Sequence, residues 1–233
     1  MSSQVTQSKV KAFAVNNTML FFAVILFAAC MIGVPRFATG GNLMNILIQV
    51  SINALIACGM TFVILSDGID LSVGSVAAIA GVAGASLIKQ MPDAGIAACI
   101  AVILVTAVVV GTICGSINGF CIAKLNVPPF IATLAMMNAA RGLAYVFTDA
   151  KPVFGLPDSF GWVGLRSIGV IPVSIVLMVI VIGLSYLVLS KTCFGRYIYA
   201  VGSNKEVAKL TGINVTMTRF SVYVISGILA ALE

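Results

Sequence analysis

Apolar residues run almost unbroken over positions 18–34, 43–65, 94–110 and 172–189, without the two-residue alternation of a half-buried strand. Each run is close to the roughly 17 to 25 residues a helix needs to cross about 30 Å of hydrocarbon. Spanning segments must satisfy their backbone internally, as helices or closed barrels, and barrel strands would alternate apolar with polar residues. The pattern therefore predicts helices at 18–35, 42–65, 72–90, 94–120, 128–148 and 171–190, and the start of a seventh from 219. The fold class is all-α: a polytopic helical membrane protein with six complete transmembrane helices and part of a seventh. A tail over 1–17 precedes one membrane domain over 18–233.

Two connections exceed simple turns. The first, 149–170, holds Pro152, Pro157 and the single tryptophan, Trp162, which predicts a surface loop with an aromatic near the interface. The second, 191–218, is the largest polar stretch, with Ser203 or Asn204 as a helix cap before KEVAKL and Gly212 as its stop. With the amino terminus inside, Lys9, Lys11, Lys124, Lys191, Arg196, Lys205, Lys209 and Arg219 fall on the inner side, against Arg36, Lys89, Lys151 and Arg166 outside. Basic residues favour the cytoplasmic side, so the bias supports that orientation. The apolar stretch 220–233 is shorter than a full span, which predicts a truncated carboxyl end.

Composition sharpens the class. Of 233 residues, 61% are hydrophobic and 9% charged, with net charge +6. Histidine is absent, which excludes Ser-His-Asp and Cys-His catalysis. Cys30, Cys58, Cys99, Cys114, Cys121 and Cys193 form no C-x-x-C and read as small apolar residues. Lys9 and Lys11 ahead of an apolar run ending in Cys30 resemble a lipoprotein signal, but the run continues to Val34, which favours a retained first helix. No phosphate-binding G-x-x-x-x-G-K-[ST] loop occurs, so the chain is not expected to be an enzyme.

Polar residues inside the spans are the candidates for function. Asn42, Asn45, Gln49 and Asn53 recur every three or four positions and share a helical face. An amide in hydrocarbon needs a partner, so the stripe is expected to face the bundle interior or a watery cavity. It reads either as a pathway wall for a polar solute or as interhelical hydrogen bonding. Gly111, Gly115 and Gly119, and likewise Ala77, Gly81 and Ala85, form small-residue ridges for close helix packing, with Asn118 beside the first as a cavity candidate. Asn138 and Arg141 lie one turn apart, as pathway residues or, for Arg141, an ordinary interfacial arginine. At the junction SDGIDLSVGS, 66–75, Gly68 and Gly74 permit a helix break and Asp70 or Ser72 caps the next helix. Capping leaves Asp67 unexplained; exposed at the inner mouth or paired with a basic residue, it is a candidate for an inward gate.

Three blocks together resemble a known family: NILIQVSINALIACGMTFVILSDGIDLSVGS at 45–75, NVPPFIATLAMM at 126–137 followed by Arg141-Gly142, and GRYIYAVGSNKEVAKLTGINV at 195–215. From about Asn42 onward the chain resembles the ribose-type permease subunits of bacterial ATP-binding cassette importers, which carry simple sugars. The resemblance implies an architecture like the first two-thirds of a ten-helix importer permease in the inner membrane, with two protomers enclosing one pathway. It implies a periplasmic sugar-binding protein outside and a cytoplasmic ATP-binding cassette ATPase inside, with ATP and magnesium on that partner, no cofactor on this chain and no nucleic acid. It assigns ATPase coupling to Ser203, Asn204, Lys205, Glu206, Ala208, Lys209, Leu210, Thr211, Gly212 and Ile213. Two alternatives stand beside it: a non-transporting truncated remnant or assembly-interfering subunit, and an ion-coupled secondary transporter using Arg141 and the two aspartates.

Overall fold

A computed structural model describes residues 18–157, 159–161, 167–168 and 171–233. Trp162 and Arg166, and the basic residues Lys9 and Lys11, lie outside the described residues. The elements in order are α1 (Thr18–Gly33), α2 (Gly40–Leu65), α3 (Val73–Lys89), α4 (Ile96–Ala123), α5 (Pro129–Thr148), β1 (Ser167–Ile168), β2 (Ile171–Pro172), α6 (Val173–Lys191), α7 (Cys193–Ser203), α8 (Lys205–Leu210) and α9 (Val215–Ala231). Strands β1 and β2 form a single short antiparallel pair.

Four of these helices, α2, α4, α5 and α6, are long and apolar enough to cross a membrane, while α1, α3 and α9 are apolar but of 16 or 17 residues. The protein is thus a polytopic helical membrane protein. Each predicted span coincides with a helix to within a few residues. The largest departure is the last helix, which begins at Val215 rather than 219 because the Asn214 side chain accepts the Met217 N–H at 2.9 Å and starts the helix there. Large apolar side chains such as Val105 on α4, Val179 on α6 and Val146 on α5 are exposed, as a surface solvated by hydrocarbon requires.

Two compact units divide the chain, residues 1–47 and 48–233. In the first, the turn after α1 is held by Thr39, whose hydroxyl donates to the Arg36 carbonyl at 2.8 Å, and by Asn42, whose amide donates to the Phe37 carbonyl at 2.8 Å. Phe27 and Phe37 meet edge to face at 5.4 Å.

The second unit is organised around α4 and α9, its most extensively contacting pair. Their backbones meet at glycines. A Cβ on Gly111 would stand 2.5 Å from the Gly227 carbonyl oxygen, and one on Gly115 would stand 2.5 Å from that of Tyr223. Small residues at this period let helices associate through van der Waals contact where no hydrophobic drive exists between them. The ridge expected on α3 is displaced. Gly81 faces open space, and the packed side runs through Val76, Ala80 and Gly84, with Gly84 against Thr106 of α4. The spacing was legible, but the neighbouring register is the one that meets α4.

At one end of the unit, Phe62, Val63, Ile122, Ile198, Val222 and Tyr223 form a core joining α2, α4, α7 and α9. At another, Ser159 of the 149–170 connection donates to the Ala94 carbonyl at 2.6 Å and approaches the Cys99 sulfur at 3.4 Å, holding that connection to the α3–α4 turn.

Candidate functional site

Helix α2 ends where its polar groups change partners. The Asp67 N–H donates to the Ile64 carbonyl at 3.0 Å and the Gly68 N–H to the Val63 carbonyl at 3.0 Å, the paired bonds of a Schellman stop. Such a stop needs one residue in the left-handed region, and here it is Asp67, at φ 58°. The sequence reading gave the flexibility to Gly68, but Gly68 is required for space: a Cβ there would stand 2.6 Å from the Tyr223 hydroxyl. Asp67 therefore leaves the helix at an angle that frees its carboxylate, which accepts a hydrogen bond from Lys205 Nζ at 2.8 Å. This is the one ion pair among the described residues.

Asp70 turns the other way and is 3% exposed. Its Oδ1 accepts from the Ser72 N–H at 3.0 Å and the Ser72 hydroxyl at 2.6 Å, and its Oδ2 accepts from the Ser226 hydroxyl of α9 at 3.0 Å. The Ser72 hydroxyl in turn accepts from Asn118 Nδ2 of α4 at 3.0 Å. Tyr223 closes the group by donating to the Ile69 carbonyl at 3.3 Å. Capping of α3 by side chains is corrected in detail. Ser72 occupies the cap position without making a cap bond, and Asp70 binds the cap residue's own N–H rather than that of a later residue. The acid is instead the hub of a buried polar network tying the α2–α3 junction to α4 and α9, with each carboxylate oxygen hydrogen-bonded, as burial of such a group demands.

The segment facing Asp67 is more ordered than a polar loop. Helix α7 begins where Thr192 Oγ1 accepts the Gly195 N–H at 3.2 Å, and it buries Gly195, Ile198 and Val201. Gly202 lies directly against the Leu65 carbonyl at the end of α2, a contact any side chain would block. Asn204, not Ser203, caps α8: its Oδ1 accepts from the N–H groups of Glu206 and Val207, both at 3.0 Å, while Ser203 ends α7. Gly212 at φ 83° stops α8, with its N–H on the Lys209 carbonyl and that of Ile213 on the Ala208 carbonyl, both 3.1 Å. Ala208 is buried; Glu206, Lys209, Leu210 and Thr211 are exposed, Leu210 to 87%. Helix α7 was missed by the sequence reading, although Thr192 as cap with Phe194, Ile198 and Val201 at helical spacing was its signal.

The pathway candidates separate. Asn118 is 2% exposed and belongs to the Asp70 network, which corrects its reading as a cavity residue. Of the two alternatives for the amide stripe, the bundle interior or a watery cavity, the first is not what Asn45, Gln49 and Asn53 show: all three are exposed along α2, and Asn53 donates to the Gln49 carbonyl at 2.9 Å. Asn138 and Arg141 are likewise exposed on α5, with Asn138 donating to the Leu134 carbonyl at 2.9 Å. Each of these two amides is partly satisfied by its own helix, a bond open to any such residue four positions on. Among the described residues no cluster of His, Cys, Asp and Glu is arranged to hold a metal ion.

These features define a class: a polytopic helical membrane protein whose largest polar segment is folded into two short helices pinned against the junction of two apolar ones. The chain belongs to the permease family described as branched-chain amino acid transport system / permease component, which matches residues 42–233. It is 39% identical to the ribose import permease protein of Haemophilus influenzae over 237 residues, covering 100% of this chain and 71% of that protein. It is 41% identical over 227 residues to the ribose import permease protein of Escherichia coli K12, covering 95% of this chain and 68% of that one. The L-arabinose transport system permease protein of Escherichia coli K12 is 39% identical over 222 residues, with 92% and 63% covered. No solved structure matches significantly.

Proposed function

We propose that this chain is the membrane-spanning subunit of an ATP-driven monosaccharide importer, with ribose the first sugar to test. The family match, the ribose and arabinose permeases among its relatives and the all-helical apolar architecture support this reading. In it, a separate ATPase docks on α8 and hydrolyses ATP, a periplasmic binding protein delivers the sugar, and a second copy of the chain completes the pathway. The amino terminus is cytoplasmic in this arrangement.

One observation carries the coupling claim. Helix α8 is anchored on one side by buried Ala208 and by the Lys205–Asp67 bond, and leaves Val207 and Leu210 exposed to 54% and 87% on another. A six-residue helix with two exposed apolar side chains, set in the largest polar segment, suits insertion into a groove of a soluble partner. Motion of that partner would then pull on the α2–α3 junction through Asp67. The exposed amides Asn45, Gln49 and Asn53, with Asn138 and Arg141, are proposed to face the pathway when a second protomer covers them.

The test is ribose uptake by proteoliposomes holding this chain, its ATPase and its binding protein. Uptake that requires ATP on the α8 side supports the proposal. Uptake driven by a sodium or proton gradient without the ATPase would replace it with secondary transport, and assembly with the ATPase but no uptake would favour a non-transporting subunit.

A further inference from the structure

Between the end of α4, α8 and the start of α9 lies an open cavity of about 410 Å³. Lys124, Lys205, Lys209 and Arg219 line it against one acid, Glu206, and Lys205 is already held by Asp67. The first turn of α9, at Val215 and Thr216, also lines it. Helix geometry leaves the N–H groups of that turn without intrahelical partners, and the Asn214 side chain takes only that of Met217. A helix start alone would mean little here; Arg219 is the independent observation.

Arg219 is 8% exposed, and no carboxylate among the described residues pairs with it. Its Nη1 reaches the Ile122 carbonyl at 3.5 Å, a long contact, and its Nε has no partner at all. A buried guanidinium without a counter-charge is costly, and the neighbouring lysines make the imbalance larger. An oxyanion in the cavity would offset the imbalance of charge, with the Arg219 guanidinium and the α9 start as its donors. The excess of cations favours a phosphate group over a single carboxylate. The cavity lies at the ends of two apolar helices, α4 and α9, where an anionic headgroup can reach a basic site.

We infer that this cavity is a binding site for a phosphate group, supplied by an anionic phospholipid headgroup or by a soluble phosphate. The site is distinct from the sugar pathway and shares Lys205 and Lys209 with the proposed coupling segment, so its occupancy would bear on how α8 is presented.

Thermal unfolding of the full chain tests this without any transport assay. One arm compares nanodiscs of phosphatidylcholine with nanodiscs of equal parts phosphatidylcholine and phosphatidylglycerol; the other compares inorganic phosphate with chloride at matched ionic strength in detergent. A rise of about 3 °C is expected in at least one arm, the size produced by a ligand near ten times its Kd. The arm that responds identifies the source. The Lys124→Gln/Lys209→Gln variant, changed only at exposed rim positions, is expected to lose the rise, as is Arg219→Gln if it folds. Lys191→Gln/Arg196→Gln, altered outside the cavity, is expected to keep it. No rise in either arm would overturn the inference, as would a rise that survives Lys124→Gln/Lys209→Gln or one that the control variant also loses. Loss of ATPase association in Lys124→Gln/Lys209→Gln with no response in either arm would assign the cations to a protein acid instead.

Discussion

Lys205 and Asp67 are joined by a 2.8 Å hydrogen-bonded ion pair across 138 positions of sequence. The pair is largely open to solvent, so its contribution to stability is about 0 to 1 kcal/mol. Its importance lies in what it connects, the stop of one apolar helix and the start of a short polar one. Asp67→Asn isolates the charge, because asparagine tolerates the left-handed backbone as well as aspartate does. Unfolding in detergent is expected to change by less than about 1 kcal/mol. Asp67→Val places a β-branched residue at φ 58° and is expected to destabilise by about 1 to 3 kcal/mol. Equal stabilities for the two variants would show that the backbone at 67 is not under this constraint.

Asp70 answers to different physics. Removing its carboxylate leaves Ser72 and Ser226 buried without their acceptor, so Asp70→Ala is expected to cost about 1 to 3 kcal/mol. Asp70→Asn keeps one acceptor oxygen, and its amide can donate to the Ser226 hydroxyl, which rotates to receive it. The asparagine variant should therefore lie closer to the parent in an unfolding titration than the alanine one. The reverse order would remove Asp70 from the centre of the network.

The α4–α9 contact predicts opposite outcomes for the same substitution at two glycines. Gly81→Ala adds a methyl into open space and should be neutral or stabilising by about 0.5 to 1 kcal/mol through helix propensity. Gly115→Ala drives a methyl into the Tyr223 carbonyl and should destabilise by about 1 to 3 kcal/mol despite the same gain in propensity. Thermal unfolding of the two purified variants checks the contrast, and equal effects would contradict the packing.

Much of this was legible in the sequence because the bilayer simplifies the grammar: apolar length alone marked each long helix. The ridge at Gly111, Gly115 and Gly119 was legible for the same reason, since small residues at that spacing have few other uses in lipid. The ridge on α3 was misread by one register, because spacing does not say which of two adjacent faces meets a neighbour. Asp67 and Asp70 were recognised as anomalous, but their partners Lys205 and Ser226 lie 138 and 156 positions away, beyond any local pattern. Helix α7 was hidden by its glycines and tyrosines, which read as loop until Gly202 is seen to need that contact with Leu65.

Asn53 tests the pathway side of the proposal. Its side chain is exposed and bonded only to its own helix, so Asn53→Leu removes little internal structure. Membrane insertion and unfolding are expected to match the parent, while ribose uptake falls by about fivefold or more, the loss of one hydrogen bond of about 1 kcal/mol or above. Parent-level uptake would remove the amide stripe from the pathway.

The central claim is that α8, the proposed coupling helix, reaches the α2–α3 junction through Lys205 and Asp67. The measurement is ATPase activity of the reconstituted importer, stimulated by sugar-loaded binding protein, for Asp67→Lys, Lys205→Asp and the two together. Each single change places like charges face to face and is expected to lower stimulation by about 2- to 10-fold, equivalent to about 0.5 to 1.4 kcal/mol. The double change restores the pair with its polarity reversed and should recover most of the loss. Single variants with parent activity, or a double variant no better than the worse single one, would contradict the account.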